Sequence, residues 1–184
     1  MTASVIALIA AAGHISGDMV LATWSDGRLI DMKQTTVAMM LCAGVMAVLM
    51  TTAPASRWRE TAIGTLASAV AGMLFTQAFW YSRVTLIDHD LTPVIFSSMQ
   101  SIGTLIGLTL LAVSGWLRAV FENVWAAIAM SRIAGVLGVG ALLGYAVGVP
   151  QLYWSFPGIS NPMAIPTAVC LVLCAFAVNG RETI

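Results

Sequence analysis

From Ile133 to Gly180 the chain carries no charged side chain. Within that stretch lie an apolar, glycine-punctuated run from Ile133 to Val149, a break from Pro150 to Pro162, and a second apolar run from Met163 to Asn179. Each run approaches the roughly 20 apolar residues a helix needs to cross the hydrocarbon core of a bilayer. A connection this short leaves the two helices as antiparallel neighbours, so the stretch can fold as little else than a helical hairpin in lipid.

The pattern recurs upstream. Superposing Gly13, Gly72 and Gly144 without gaps brings together Ala10, Ala69 and Ala141, then Gly17, Thr76 and Gly148, and in the following helix Gly44, Gly103 and Ala175. Met32 and Thr36 then meet Met163 and Thr167. Self-similarity of this kind predicts tandem units. The expectation is an all-α, polytopic membrane helix bundle, a single domain over 1–184 built of three helical hairpins at about 3–53, 61–117 and 133–179. Its six spans are 3–24, 35–53, 61–81, 93–117, 133–149 and 163–179. The first is expected to be a retained span, since no basic segment precedes it as in a cleaved signal.

Composition agrees: 59% of residues are hydrophobic and 9% charged, far from a soluble domain. The formal charge is zero, which offers no basic surface for nucleic acid. Arg57, Arg59, Arg118, Arg132 and Arg181 fall on one side of the expected spans, against Arg28, Lys33 and Arg83 on the other. Positive-inside counting therefore places both termini in the cytoplasm of a bacterial inner membrane. Trp58, Trp116 and Trp125 would anchor the inner interface, and Trp24, Trp80 and Trp154 the outer one.

The spacing between glycine markers grows from 59 residues (Gly13 to Gly72) to 72 (Gly72 to Gly144). The added length holds Leu117, Val120, Phe121, Val124, Trp125 and Ile128 at helical spacing. Two readings fit: a cytoplasmic interfacial helix over 117–130, or a fourth span that runs on into a turn.

His14 and Asp18 stand four residues apart in the first span, hence on one helical face, with the histidine near mid-span. Ionisable residues at that depth are costly and point to function. Two roles fit the pair: a proton-sensitive element, since histidine changes charge near neutral pH, or a hydrogen-bonded fastening between helices. Gly13 and Gly17, Gly103 and Gly107, and Gly140, Gly144 and Gly148 recur at four-residue steps, as in helix-packing seams where small residues let backbones approach. Such a seam also admits bound lipid or pigment. Cys42, Cys170 and Cys174 sit in apolar runs and suit small buried side chains rather than a ligand set. No metal site, catalytic residue or cofactor is expected, because zinc, nucleotide-binding and nucleophile motifs are missing, no span holds a lysine for a Schiff base, and a second intramembrane histidine for haem is lacking.

The run Leu142-Leu143-Gly144-Tyr145-Ala146-Val147-Gly148-Val149-Pro150-Gln151-Leu152-Tyr153, followed by Met163-Ala164-Ile165-Pro166-Thr167-Ala168, resembles a unit of the N-terminal transmembrane sensor regions of bacterial histidine kinases and diguanylate cyclases. Met32-Lys33-Gln34-Thr35-Thr36-Val37 is similar. The resemblance implies a membrane sensory module. After Asn179 only Gly180 to Ile184 remain, so no output domain is expected and a signal would pass to a separate protein. The functional expectation is a non-enzymatic sensory or interaction module, with two alternatives: a structural accessory subunit of a respiratory or photosynthetic complex, and a small transporter. Its partners are membrane lipid and other membrane proteins.

Overall fold

The computed structural model describes residues 2–18, 20–21, 33–52, 56–87, 100–153 and 161–179. The regular elements among these residues are all helical: α1 (Thr2–Ser16), α2 (Gln34–Thr52), α3 (Arg57–Ile87), α4 (Ile102–Ala119), α5 (Val124–Val147), a 3-10 turn (Pro150–Leu152) and α6 (Ile165–Asn179). Four of them, α2 to α5, are long and apolar enough to cross a membrane. The apolar α1 and α6 are shorter, at 15 residues, or roughly 22 Å at 1.5 Å per residue.

Several boundaries differ from the expected spans, each for a local reason. The first helix stops at Ser16 rather than near residue 24, because Gly17 turns to φ 75°, a left-handed conformation that ends helices. Helix α4 starts at Ile102, not at Pro93. Ser101 caps it by accepting a hydrogen bond from the Thr104 N–H at 2.9 Å, and Pro93 lies outside the described residues. The interfacial helix over 117–130 does not form. Helix α4 runs to Ala119, the chain turns through Glu122 at φ 53°, and Asn123 restarts it as α5 by accepting from the Ala126 N–H. The periodicity of Leu117 to Ile128 thus belonged to two helix ends. Helix α5 consequently begins nine residues before the expected span at 133 and includes Arg132.

Successive helices pack antiparallel. A β-carbon at Gly44 of α2 would stand 2.5 Å from Ser4 Oγ of α1, and one at Gly64 of α3 would stand 3.8 Å from Ala119 of α4. Ser114 Oγ of α4 donates to the Ala127 carbonyl of α5 at 2.7 Å, and a β-carbon at Gly138 of α5 would stand 2.6 Å from the Ala168 carbonyl of α6. The starts of α1, α3 and α5 and the finishes of α2, α4 and α6 therefore share one end, called here the near end.

The even-numbered helices also touch one another. Thr35 of α2 meets Gln100 beside α4, and Gly103 and Gly107 of α4 face Met163 and Leu171 of the third hairpin. These rising pairs show that α2, α4 and α6 run parallel and form an inner triangle. Each odd helix fills one outer groove: α1 between α2 and α6, α3 between α2 and α4, α5 between α4 and α6. Half of the α2 span is buried but only 17% of the α3 span, so α3 is the helix most open to its surroundings. The interior is closed by Met39, Met40, Met46, Leu108, Leu111 and Leu171. Glycines admit these side chains at close range, as packing between helices in lipid requires.

Candidate functional site

Because α2, α4 and α6 run parallel, their N-terminal ends meet at the far end of the bundle. Each brings a buried hydroxyl near its first turn: Thr36, Thr104 and Thr167, exposed by 3%, 3% and 1%. Ser101 Oγ lies 2.7 Å from Thr104 Oγ1. Gln100, also buried, donates from Nε2 to Thr35 Oγ1 at 2.9 Å, which ties the start of α2 to the start of α4. Among the described residues its Oε1 is buried without a hydrogen-bond partner. A buried amide oxygen left without a donor loses its hydration for nothing in return, roughly 1–3 kcal/mol, a cost that Ser4 Oγ and Glu60 Oε2 carry in the same way at the near end. The Thr36 and Thr167 markers were legible in the sequence. Gln100 was not, because it fell inside the expected span 93–117, where a single glutamine carries no pattern of its own.

His14 lies in the last turn of α1 rather than at mid-span, half-buried beside a cleft of about 310 Å³ that Gln34, Val37 and Leu41 of α2 also line. Asp18 does not share its helical face, since the helix has already ended at Ser16. The Asp18 carboxylate instead accepts from the Val20 N–H at 3.1 Å. Tyr145, which superposes on His14 in the third hairpin, has a fastening role: its hydroxyl donates to the Met163 carbonyl at 2.7 Å and its ring stacks on Tyr153 at 3.9 Å. The Met163 N–H in turn donates to the Tyr153 carbonyl at 2.8 Å. These contacts clamp the turn after α5 onto the start of α6.

The expected glycine seams divide into distinct uses. Gly13 is buried. Gly103 and Gly107 do pack against α6 and the residues before it: their β-carbons would stand 2.9 Å from Met163 Cε and 2.7 Å from Leu171 Cδ1. A β-carbon at Gly144 would stand 2.6 Å from Leu152 Cβ, so it receives the 3-10 turn. Gly17 and Gly148 have φ 75° and 70° and cap helices instead of packing, while a β-carbon at Gly140 would meet nothing within 4 Å. The pairing in the middle of the bundle falls to Gly115, which faces Met46 and Ala67, and to Gly135 and Gly138, which face α6. None of these three stands on the four-residue steps read from the sequence.

At the near end Trp58 and Trp125 are exposed by 72% and 76%, and Trp116 is exposed with its Nε1 donating to Ser68 Oγ at 3.1 Å. Trp24 and Trp154, and the side chain of Trp80, lie outside the described residues. Arg59 is buried at this end and paired with the adjacent Glu60, an ion pair that the sequence alone reads as a loop charge. Cys170 and Cys174 are buried, and Cys42 is partly so. Among the described residues no three His, Cys, Asp or Glu side chains gather within reach of one ion. No family model, curated protein or solved structure matches the chain.

Proposed function

We propose that the chain is a non-enzymatic module of the bacterial inner membrane that crosses it six times, keeps both termini in the cytoplasm, and passes a change of helix arrangement to a separate membrane protein docked on α3. The near end gathers Arg57, Arg118, Trp58, Trp116 and Trp125, which supports assigning it to the cytoplasmic interface.

The observation that carries this reading is the outward face of α3. Thr61, Thr65, Ser68, Gly72 and Thr76 are exposed at steps of three and four, so they form one low stripe along the helix. The four hydroxyls donate to backbone carbonyls of their own helix three or four residues back. Their hydroxyl protons are then satisfied within the helix, and a second helix can approach closely over these small side chains. Among the described residues, a β-carbon at Gly72, at the centre of the stripe, would meet nothing within 4 Å. Helix α3 lies in the groove between α2 and α4, the two helices that the Gln100 to Thr35 bond ties together. A rearrangement at that bond would alter the seat of α3 directly.

Gly72→Leu tests the docking face without disturbing the bundle. Purified in mild detergent, the variant should keep the melting behaviour of the parent chain and lose its copurifying partner. Retention of the partner at the parent's ratio would overturn the reading. The same stripe favours a second reading, a structural accessory subunit. It would be supported by a fixed-ratio assembly of many subunits that survives purification.

A further inference from the structure

We propose that the groove on the outer side of α5 and α6 holds one anionic phospholipid of the cytoplasmic leaflet, with its phosphate on Arg132 and an acyl chain along the groove. The proposal rests on the membrane-spanning reading of α5 and the orientation given above, and is independent of what docks on α3.

The groove has a volume of about 450 Å³. Its floor is made by the small pair Gly135 and Ala175, so close that a β-carbon at Gly135 would stand 2.7 Å from Ala175 Cβ. Its walls are Val136 and Val139 on one helix and Val172 and Phe176 on the other. Val136 and Phe176 are exposed by 69% and 70%, so nothing within the described chain covers them. Every wall side chain is apolar, which suits an acyl chain and gives a polar ligand nothing to bind.

Among the described residues, Arg132 is the single charged one on this lining. It stands seven residues inside Trp125 on α5, roughly 10 Å deeper along the helix. An arginine at that depth within an apolar helix is costly, and anionic groups or a route back to the interface lower that cost. Its alkyl stem can lie on the groove wall while the guanidinium rises towards the headgroup layer. The guanidinium carries five N–H donors in a planar fork that matches phosphate oxygens two at a time. Such a contact leaves donors for the other partner that Arg132 has in the structure. A basic pocket between transmembrane helices at the cytoplasmic side is a recognised setting for anionic headgroups. Apolar walls, one cation at the mouth and inner-leaflet depth together select an anionic lipid over a zwitterionic one.

The full chain would be reconstituted in vesicles of equal phosphatidylglycerol and phosphatidylcholine, extracted in mild detergent, and its retained lipid counted by native mass spectrometry. The parent chain should retain one phosphatidylglycerol with at least a tenfold preference. Arg132→Gln should abolish the preference, Arg132→Lys should restore part of it, and Val136→Trp, which fills the groove from an exposed position, should reduce retention of both lipids. Equal retention of the two lipids by the parent chain, or an unchanged preference in Arg132→Gln, would overturn the proposal. Extraction of the chain from vesicles by alkaline carbonate would instead overturn the membrane reading itself, so the two failures are separable.

Discussion

At the scale of single residues, what a glycine does depends on what faces it, and spacing does not report that. Gly138 and Gly140 lie two residues apart in α5, so they point to different sides. A β-carbon at Gly138 would stand 2.6 Å from the Ala168 carbonyl, a backbone atom that cannot swing away, and 2.9 Å from Val172 Cγ2. Gly138→Ala should therefore force α5 and α6 apart and cost about 1–3 kcal/mol, as overpacking does. Gly140→Ala should cost nothing, and by the gain in helix propensity should stabilise the chain by up to roughly 1 kcal/mol. Thermal unfolding in detergent followed by helical circular dichroism compares the two directly. Equal melting shifts would show that the α5–α6 contact is not as close as described. The four-residue rule selected Gly140 and passed over Gly138 because periodicity identifies a helical face without saying whether another helix covers it. The separation of His14 and Asp18 has a different reason. Their shared face assumed a continuous helix, and Gly17 interrupts it.

At the scale of elements, the apolar cores of the helices were legible and their ends were not. Helices α2 and α6 begin within two residues of the expected spans, at Gln34 and Ile165, since uniform apolar composition fixes where a helix must lie in lipid. Ends are set by capping, which needs only one residue in the right conformation. Ser101 and Asn123 cap α4 and α5 from positions that the sequence reading assigned to the interior of a span and to an interfacial helix. Gly148 ends α5 at φ 70°, and its N–H donates to the Gly144 carbonyl, with the Val149 N–H donating to the same oxygen at 2.9 Å. This turn delivers Tyr153 to its stack on Tyr145 and its bond to Met163. Gly148→Ala should lose about 1 kcal/mol from left-handed strain alone. It should also loosen the clamp, read as faster amide hydrogen exchange at Leu152 and Met163 and little change at Leu108. Uniform exchange across the chain in the variant would mean that the cap serves global stability rather than this turn.

For the whole molecule, the arrangement of an inner parallel triangle and three outer helices explains why the repeat was visible in part. In the first and third hairpins the superposed positions make the same contact: Ser4 faces Gly44, and Gly135 faces Ala175. The middle hairpin pairs in another register, with Gly64 against Ala119 and Ser68 against Trp116, so Gly103 there faces Met163 of the third hairpin and not its own partner helix. A gapless superposition follows chain distance and cannot follow a helix that slides. The same geometry has a consequence for topology. Six alternating helices bring the start of α1 and the finish of α6 to one end, yet both helices are only about 22 Å long, against a hydrocarbon core of about 30 Å. For α1 and α6 to cross, the bilayer must thin beside them or their flanking residues must reach out to the interfaces, at a cost of fractions of a kcal/mol per Å. Helices α2 to α5 are long and apolar enough to cross whether or not α1 does, so the side on which residue 2 emerges decides the matter. In a chain with Cys42, Cys170 and Cys174 replaced by alanine, single reporters Thr2→Cys, Glu122→Cys and Gln151→Cys would be labelled with an impermeant maleimide in intact cells. Gln151→Cys should react from outside, and Glu122→Cys and Thr2→Cys only after permeabilisation. Reaction of Thr2→Cys alongside Gln151→Cys would leave α1 lying on one face, make the first crossing α2, and remove the premise that three hairpins each traverse the membrane.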